Sequence, residues 1–200
     1  MEMQFDLFGA PRPQERGFPL HRSYFALLPP PKLAQRVEAY AKRLARAHAV
    51  RRVTQAQRLH ISLANIRNGD AMAPDELEEA LAIGDAIRVP PFDLHFDRLE
   101  TWDGGHPRRG RRPVPTVLAC SAPPREAGLL YSTLDRQMRH FERRTSRQRF
   151  NPHMSLWYAP TPIAPRALSR PLLLRVDRFW LVHTMAGGQL EAIASWPLKF

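Results

Sequence analysis

The fold of this chain follows from two short segments with the same pattern, Leu59-His60-Ile61-Ser62-Leu63 and Pro152-His153-Met154-Ser155-Leu156. Apolar and polar residues alternate in both segments, which is typical of a β-strand with one buried face. Successive side chains of a strand point to opposite faces, so the histidine and the serine of each segment share the polar face, about 7 Å apart. Each segment is therefore predicted to present an imidazole and a hydroxyl side by side.

Histidine and serine in this arrangement suit phosphate chemistry. A neutral imidazole accepts a proton from water, and an imidazolium gives one to a leaving oxygen. The hydroxyls of Ser62 and Ser155 can donate hydrogen bonds to the non-bridging oxygens of a phosphate, where negative charge concentrates. If His60 and His153 face each other, the two segments supply a base, an acid and two phosphate-binding hydroxyls, without a metal ion or another cofactor.

The pattern also has a simpler interpretation, in which His60 and His153 are ordinary strand histidines, each satisfied by a neighbour. The matching apolar context of the two segments favours the functional interpretation. A third match, His21-Arg22-Ser23, has a charged middle residue and lies at the boundary of the N-terminal tail, so we exclude it. His95 lies in an alternating stretch and is interpreted as a surface strand residue.

Hydrophobic periodicity in the rest of the chain predicts three helices and seven strands. The helices are expected at 33–44, 74–87 and 126–145, and the strands at 24–28, 59–66, 92–99, 114–120, 154–157, 172–184 and 189–196. The strands tend to come in adjacent pairs, which favours antiparallel sheets in an α+β fold. We expect one domain at residues 22–200, after a flexible tail at residues 1–21 that prolines and glycine interrupt repeatedly.

The composition limits the class of protein. With 200 residues, 44% of them hydrophobic, the chain can form one packed domain. The net charge of +11 attracts polyanions such as nucleic acid. All but three of the 30 basic residues are arginine, however, a bias that a GC-rich genome also produces. A loop that holds His106 and the arginines of residues 108–112 either meets RNA phosphates or is merely solvated.

The sequence also bears on compartment. No apolar run approaches the ~18 residues that span a bilayer, and the N-terminus lacks the features of a secretory signal. The single cysteine, Cys120, ends an apolar run and is expected to be a buried structural thiol. One cysteine cannot form an internal disulfide, which fits a reducing compartment. We expect a soluble, cytoplasmic monomer that does not bind membranes.

The paired segments resemble the duplicated His-x-[Thr/Ser]-x motifs of the 2H phosphoesterase superfamily. Within it, the chain is most similar to the LigT-like RNA 2′,3′-cyclic phosphodiesterases, also called 2′-5′ RNA ligases. The resemblance covers residues 22–200 and departs from the commonest pattern in having serine, not threonine, at positions 62 and 155. Four further stretches support it, namely residues 24–29, 92–99, 150–153 and 179–198.

The resemblance implies a two-lobed, pseudo-symmetric fold in which antiparallel sheets and flanking helices surround a central cleft, with one motif from each lobe. It implies hydrolysis of RNA 2′,3′-cyclic phosphate ends to 2′-phosphates, and reversible 2′-5′ ligation of RNA. By the convention of the family, His60 is the proton donor and His153 the acceptor, although the residues themselves leave these two roles open. The alternative is a non-catalytic RNA-binding or sliding-clamp-associated module of the same fold.

The tail contains a separate motif. Residues Gln4-Phe5-Asp6-Leu7-Phe8 resemble the pentapeptide by which bacterial proteins bind the DNA sliding clamp. In that interpretation Leu7 and Phe8 enter an apolar pocket of the clamp while Gln4 hydrogen-bonds its rim. Alternatively, the apolar residues of the motif pack against the protein's own surface.

Overall fold

The computed structural model describes residues 21–102, 113–138, 150–185 and 188–200. Within them lie three helices, eight strands and a short 3-10 turn at Ala56–Arg58. The helices are α1 (Pro31–Ala47), α2 (Pro74–Ala86) and α3 (Arg125–Gln137), and the strands are β1 (His21–Leu27), β2 (Ile61–Gly69), β3 (Phe92–Thr101), β4 (Val114–Ala119), β5 (His153–Ala159), β6 (Arg166–Val176), β7 (Arg178–Met185) and β8 (Leu190–Pro197). None of these helices is long and apolar enough to cross a bilayer.

The strands form two four-stranded sheets in which every neighbouring pair is antiparallel. The first sheet has the order β2-β1-β7-β8 and the second the order β5-β4-β3-β6. The predicted α+β class with antiparallel sheets is therefore confirmed. β2 and β5, which carry the two His-x-Ser segments, are edge strands of different sheets, and they contact each other.

The helices join the two sheets. α1 begins with Pro31, whose missing N–H costs nothing at the first position of a helix. Its apolar stripe, which includes Leu33 and Val37, is buried in the core, and the helix contacts β5 of the second sheet. α3 in turn contacts β2 of the first sheet. Helices from both parts of the chain thus pack across the two lobes.

The prediction of a single strand at 172–184 is wrong. The structure has two strands there, β6 in the second sheet and β7 in the first, separated only by Asp177. The alternation changes phase at the consecutive polar residues Asp177 and Arg178, since Leu174 and Val176 are buried before them and Phe179 and Leu181 after them. The phase change marks the break, but it does not reveal that the pairing partner changes from β3 to β1. Asp177 is therefore the point at which the chain passes from the second sheet to the first. Its backbone carbonyl accepts a hydrogen bond from the amide of Leu198 at 2.7 Å, which holds this point in place.

α2 approaches β8 unusually closely at Gly84. A Cβ atom at this position would lie 2.3 Å from the indole of Trp196. That indole stacks on Phe179, with ring centroids 5.2 Å apart, and its Nε1–H donates to Asp85 at 2.7 Å. The indole is therefore fixed on two sides, and glycine is the residue that lets the helix reach it.

Several predictions fall outside the described residues. These are the clamp-binding motif with Gln4, Leu7 and Phe8, the loop with His106 and the arginines of 108–112, the end of the third helix beyond Met138, and the turn at 186–187. The tail was expected to end at residue 21, but His21 is already the first residue of β1.

Candidate active site

The two His-x-Ser segments come together where the sheets meet. His60 directly precedes β2, and His153 is the first residue of β5. The amide of Thr54, in the chain that leads to β2, donates to the carbonyl of Leu156 in β5 at 2.7 Å. The imidazoles are close enough that a positive charge on His153 lowers the pKa of His60. Their juxtaposition is a property of the fold, since 93 residues separate them along the chain.

The alternation within each segment is confirmed. Leu59, Ile61 and Leu63 are buried in the core, while Ser62 is exposed. In the second segment Met154 and Leu156 are fully buried, while His153 before them and Ser155 between them are half-buried. The core therefore fixes the apolar face of each strand, and the histidine and serine remain on the other face.

Both histidines are held by the same backbone contact. Nδ1 of His60 lies 2.8 Å from the carbonyl oxygen of Arg58, and Nδ1 of His153 lies 3.0 Å from that of Asn151. A carbonyl oxygen only accepts, so each Nδ1 carries the hydrogen. In the neutral ring Nε2 is then an unprotonated acceptor. Each imidazole thus keeps its basic nitrogen free of the backbone and has a fixed orientation.

An aromatic ring packs against each imidazole. The ring of Tyr24 lies 5.1 Å from that of His60, and the indole of Trp102 lies 4.2 Å from that of His153. The Nε1–H of Trp102 donates to Glu100 at 3.0 Å, which holds the indole in place. These contacts restrict rotation of the imidazoles and remove water from one side of each ring.

The surroundings of both imidazoles favour the neutral form. The pKa of His60 is lowered to about 4, chiefly by burial and also by the positive charges of Arg22, His153 and Arg58, against the raising effect of its hydrogen bond to the backbone. Burial likewise lowers the pKa of His153 from its ordinary value of 6.5, while the bond to Asn151 opposes the change. An anion bound between the rings would raise both pKa values, because it stabilises the charged form.

Sequence reasoning missed three groups of the site, Trp102 after β3 and Arg22 and Tyr24 on β1. The guanidinium of Arg22 lies 5.8 Å from the ring of Tyr24, and its charge acts on His60. Burial raises the pKa of the Tyr24 hydroxyl, which hydrogen-bonds to Thr184. Arg22 is the middle residue of the His-x-Ser match that we excluded as a motif. The alternation of that match could have placed Arg22 and Tyr24 on one face, but pairing between β1 and β2 decides which face meets His60.

Other candidates behave as ordinary structural residues. Cys120 is buried, as predicted, and burial raises the pKa of its thiol to about 12. His95 is exposed, as predicted. His21 stacks on His183 with ring centroids 5.1 Å apart, and the Nδ1 of His21 lies 2.9 Å from the Nε2 of His183. Within the described residues, no group of three or more histidine, cysteine and acidic side chains is arranged to hold a metal ion.

Two antiparallel lobes, each with a His-x-Ser strand at their junction, form the LigT-like fold of 2H phosphoesterases. The chain belongs to the 2′-5′ RNA ligase superfamily, whose model matches residues 29–188. No curated protein matches the sequence.

Solved structures share the fold. E. coli LigT, in a complex with ATP, has a TM-score of 0.68 at 20% identity, with 92% of this chain and 100% of LigT covered. A crystal structure described as a phosphoesterase has a TM-score of 0.68 at 23% identity over 90% of this chain and 99% of its own. A Thermus thermophilus protein matches with a TM-score of 0.68 at 17% identity, over 89% and 98% of the two chains.

Proposed function

We propose that this protein is a metal-independent phosphodiesterase that hydrolyses RNA 2′,3′-cyclic phosphate ends to 2′-phosphates, with His60 and His153 as its catalytic pair. The observation that carries the proposal is that both imidazoles make the same hydrogen bond to the backbone. Each is fixed through Nδ1, at 2.8 Å and 3.0 Å, with its Nε2 free, and the two lie within electrostatic reach of each other. Membership of the 2′-5′ RNA ligase superfamily supports an RNA substrate, and a crystal structure of E. coli LigT contains 3′-AMP.

In the proposed reaction the cyclic phosphate lies between the two imidazoles. Nε2 of His153 takes a proton from water as its oxygen attacks phosphorus, and Nε2 of His60 gives a proton to the leaving O3′. Ser62 and Ser155 donate hydrogen bonds to the non-bridging oxygens, and the guanidinium of Arg22 balances the negative charge. Because burial keeps the imidazole of His60 neutral near pH 7, His60 acquires its proton together with the anionic substrate.

The alternative is a non-catalytic RNA-binding module of the same fold, for which the sliding-clamp motif at Gln4, Leu7 and Phe8 remains a prediction.

One experiment distinguishes the enzyme from the binding module. Chelator-treated protein is incubated with a 2′,3′-cyclic nucleotide, and the product is identified by phosphorus NMR. A 2′-phosphate product supports the proposed reaction, and a 3′-phosphate product would mean that O2′, not O3′, is the leaving oxygen. RNA binding without turnover favours the binding module. In either case we propose that residues 22–200 act as one domain.

The pH dependence follows from the lowered histidine pKa values. Turnover needs one neutral and one protonated imidazole, and the free enzyme reaches this state only at acid pH because burial lowers both pKa values. We expect a bell-shaped profile of kcat/KM, which reports the free enzyme, with its optimum below pH ~6.5. The optimum of kcat should lie at higher pH, because the bound phosphate raises the pKa of the imidazoles.

Both profiles are to be measured with a 2′,3′-cyclic nucleotide in excess EDTA. If EDTA abolishes turnover and a divalent metal restores it, the metal-independent mechanism is wrong. If the optimum of kcat/KM lies above pH 7, the imidazoles of the free enzyme are not the desolvated groups described here.

The serines provide an independent test of phosphate binding. Ser62→Ala or Ser155→Ala removes one hydrogen bond to a charged phosphate, which is worth about 1.5–3 kcal/mol. We therefore expect kcat/KM for a cyclic nucleotide to fall roughly 10- to 100-fold in each variant. Ser62→Thr and Ser155→Thr keep the hydroxyl and should retain most of the activity. Alanine variants as active as the parent would show that these hydroxyls do not bind the phosphate.

A further inference from the structure

A pocket of about 280 Å³ lies on the second sheet, and one of its lining residues, Asn151, is two positions before His153 in the chain. The reaction proposed above does not use this pocket. We refer to it as the β3–β5 pocket, and its lining includes Arg98, Glu100, Ala119, Ser121, Phe150 and Asn151. Its volume is close to the lower end of the range for small-molecule sites, ~300 Å³. Water, the attacking group in hydrolysis, needs no pocket of this size.

Sheet register places the pocket on the same face as the catalytic histidine. His153 pairs with Ala119, which in turn pairs with Arg98, and residues directly opposite each other share a face. With neighbouring strands about 4.8 Å apart, Arg98 is about 10 Å across the sheet from His153. Ala119 lies between Arg98 and His153 and has only a methyl group, so no large side chain fills the space between them. The backbone carbonyl of Asn151, another lining residue, is the acceptor that holds the imidazole.

The walls of the pocket are fixed by their own contacts. Phe150 stacks on Tyr131, with ring centroids 4.8 Å apart and the rings 10° from parallel. The amide of Ser121 donates to Asp97 at 2.8 Å, and its hydroxyl donates to the same carboxylate. The pocket therefore has one flat apolar wall and one polar wall, both in place without a ligand.

The charge of the pocket indicates which part of a nucleotide it fits. The guanidinium of Arg98 lies 3.3 Å from a carboxylate oxygen of Glu100, whose other oxygen accepts from Trp102. The two charges balance, so the pocket does not select a second phosphate. Arg98 is half exposed, with 53% of its side chain accessible, and its remaining N–H groups point to no described partner. Such a site fits a neutral, flat group with hydrogen-bonding edges, which describes a nucleoside.

We infer that the β3–β5 pocket binds the nucleoside of an incoming 5′-hydroxyl RNA end, with its 5′-oxygen at the position of the attacking water. This inference rests on the proposed function and replaces its attacking group, water, by the 5′-hydroxyl of RNA. The 5′-oxygen attacks phosphorus and gives its proton to Nε2 of His153, the bond from phosphorus to O3′ breaks, and O3′ takes a proton from His60. The product is a 2′-5′ phosphodiester, and the reverse of these steps cleaves one.

The test compares two substrates of the full-length protein, adenosine 2′,3′-cyclic phosphate and the 2′-5′-linked dinucleoside phosphate of adenosine. Only the second places a nucleoside in the pocket. In Arg98→Ala and Asn151→Ala, we expect kcat/KM for the dinucleoside, divided by that for the cyclic nucleotide, to fall at least tenfold. Arg175→Ala is the matched control, because Arg175 also lies 3.3 Å from a carboxylate, that of Asp93, and is 59% exposed, but outside the pocket. Its ratio should not change.

A ratio that stays constant in both pocket variants, whether or not the two activities fall together, overturns the inference. Binding of free adenosine provides a second measurement that does not depend on turnover. Titration followed by tryptophan fluorescence should show saturable binding to the parent and at least tenfold weaker binding to Arg98→Ala. A parent that hydrolyses the cyclic nucleotide but does not bind adenosine contradicts the pocket assignment alone. A parent that binds adenosine but turns over neither substrate contradicts the proposed function alone.

Discussion

His60→Ala and His153→Ala are each expected to lower kcat for a 2′,3′-cyclic nucleotide by about 10²- to 10⁴-fold, the usual contribution of one general acid or base. Neither change should unfold the protein, because the apolar neighbours of both histidines, and not the imidazoles, form the core. Steady-state kinetics and circular dichroism of the purified variants measure the two effects. His95→Ala is the matched control, since His95 is an exposed strand histidine of the second sheet.

A substrate with a better leaving group distinguishes the two roles. A p-nitrophenyl phosphodiester loses a phenolate that needs no proton, so the variant that lacks the donor should recover most of its rate with this substrate. The variant that lacks the base should stay impaired. We expect recovery in His60→Ala and none in His153→Ala. Recovery in the opposite variant would exchange the roles, and a folded alanine variant with near-normal rate on the cyclic nucleotide would refute the catalytic pair.

Gly84→Ala and Gly128→Ala are expected to change stability in opposite directions, although both replace a helical glycine. Alanine favours a helix over glycine by up to ~1 kcal/mol. At Gly128 in α3 a new Cβ meets nothing within 4 Å, so this gain should appear in full, as about 0.5–1 kcal/mol of added stability. At Gly84 the Cβ would lie 2.3 Å from the indole of Trp196, which cannot move away from Phe179 and Asp85.

Forcing extra volume into a packed core costs about 1–3 kcal/mol, which exceeds the helix preference at Gly84. Subtracting the helix gain of up to ~1 kcal/mol from the middle of this range, we expect a net loss of about 1 kcal/mol in the free energy of unfolding of Gly84→Ala. Urea unfolding curves of both variants, with equal slopes, measure the difference. A Gly84→Ala protein as stable as Gly128→Ala would mean that α2 and β8 are not packed as closely as described.

Much of the site follows from local sequence. The alternation around His60 and His153 is a property of five neighbouring residues, and it correctly placed the buried and exposed side chains of both strands. Trp102 and Arg22 could not be found in this way. Trp102 reaches His153 because it follows β3 while β4 lies between β3 and β5, and Arg22 reaches His60 through pairing of β1 with β2. Contacts of this kind depend on strand order, which periodicity does not contain.

The fold was predicted about as well as the site. The prediction failed where it depended on which strands pair with each other. Strand positions and helix faces depend on local patterns of apolar residues, and these were found. The division of 172–184 into β6 and β7 depends on a change of pairing partner at Asp177. The consecutive polar residues Asp177 and Arg178 shift the alternation there by one position, but the shift does not identify the new partner. A hydrophobic pattern records that a residue is buried, but not against which sheet.

The crossing at Asp177 also determines how the chain is divided between the lobes. The second sheet is built from the continuous stretch of β3 to β6, whereas the first sheet combines β1 and β2 with β7 and β8 from the other end. On a ribosome, the lobe with His153 has all its strands before the lobe with His60 receives β7 and β8. The second lobe is thus inserted into the first, and closing the first requires contacts between residues more than 150 positions apart. Such long-range pairing is intrinsically slow, so the site is expected to form only in the last stage of folding.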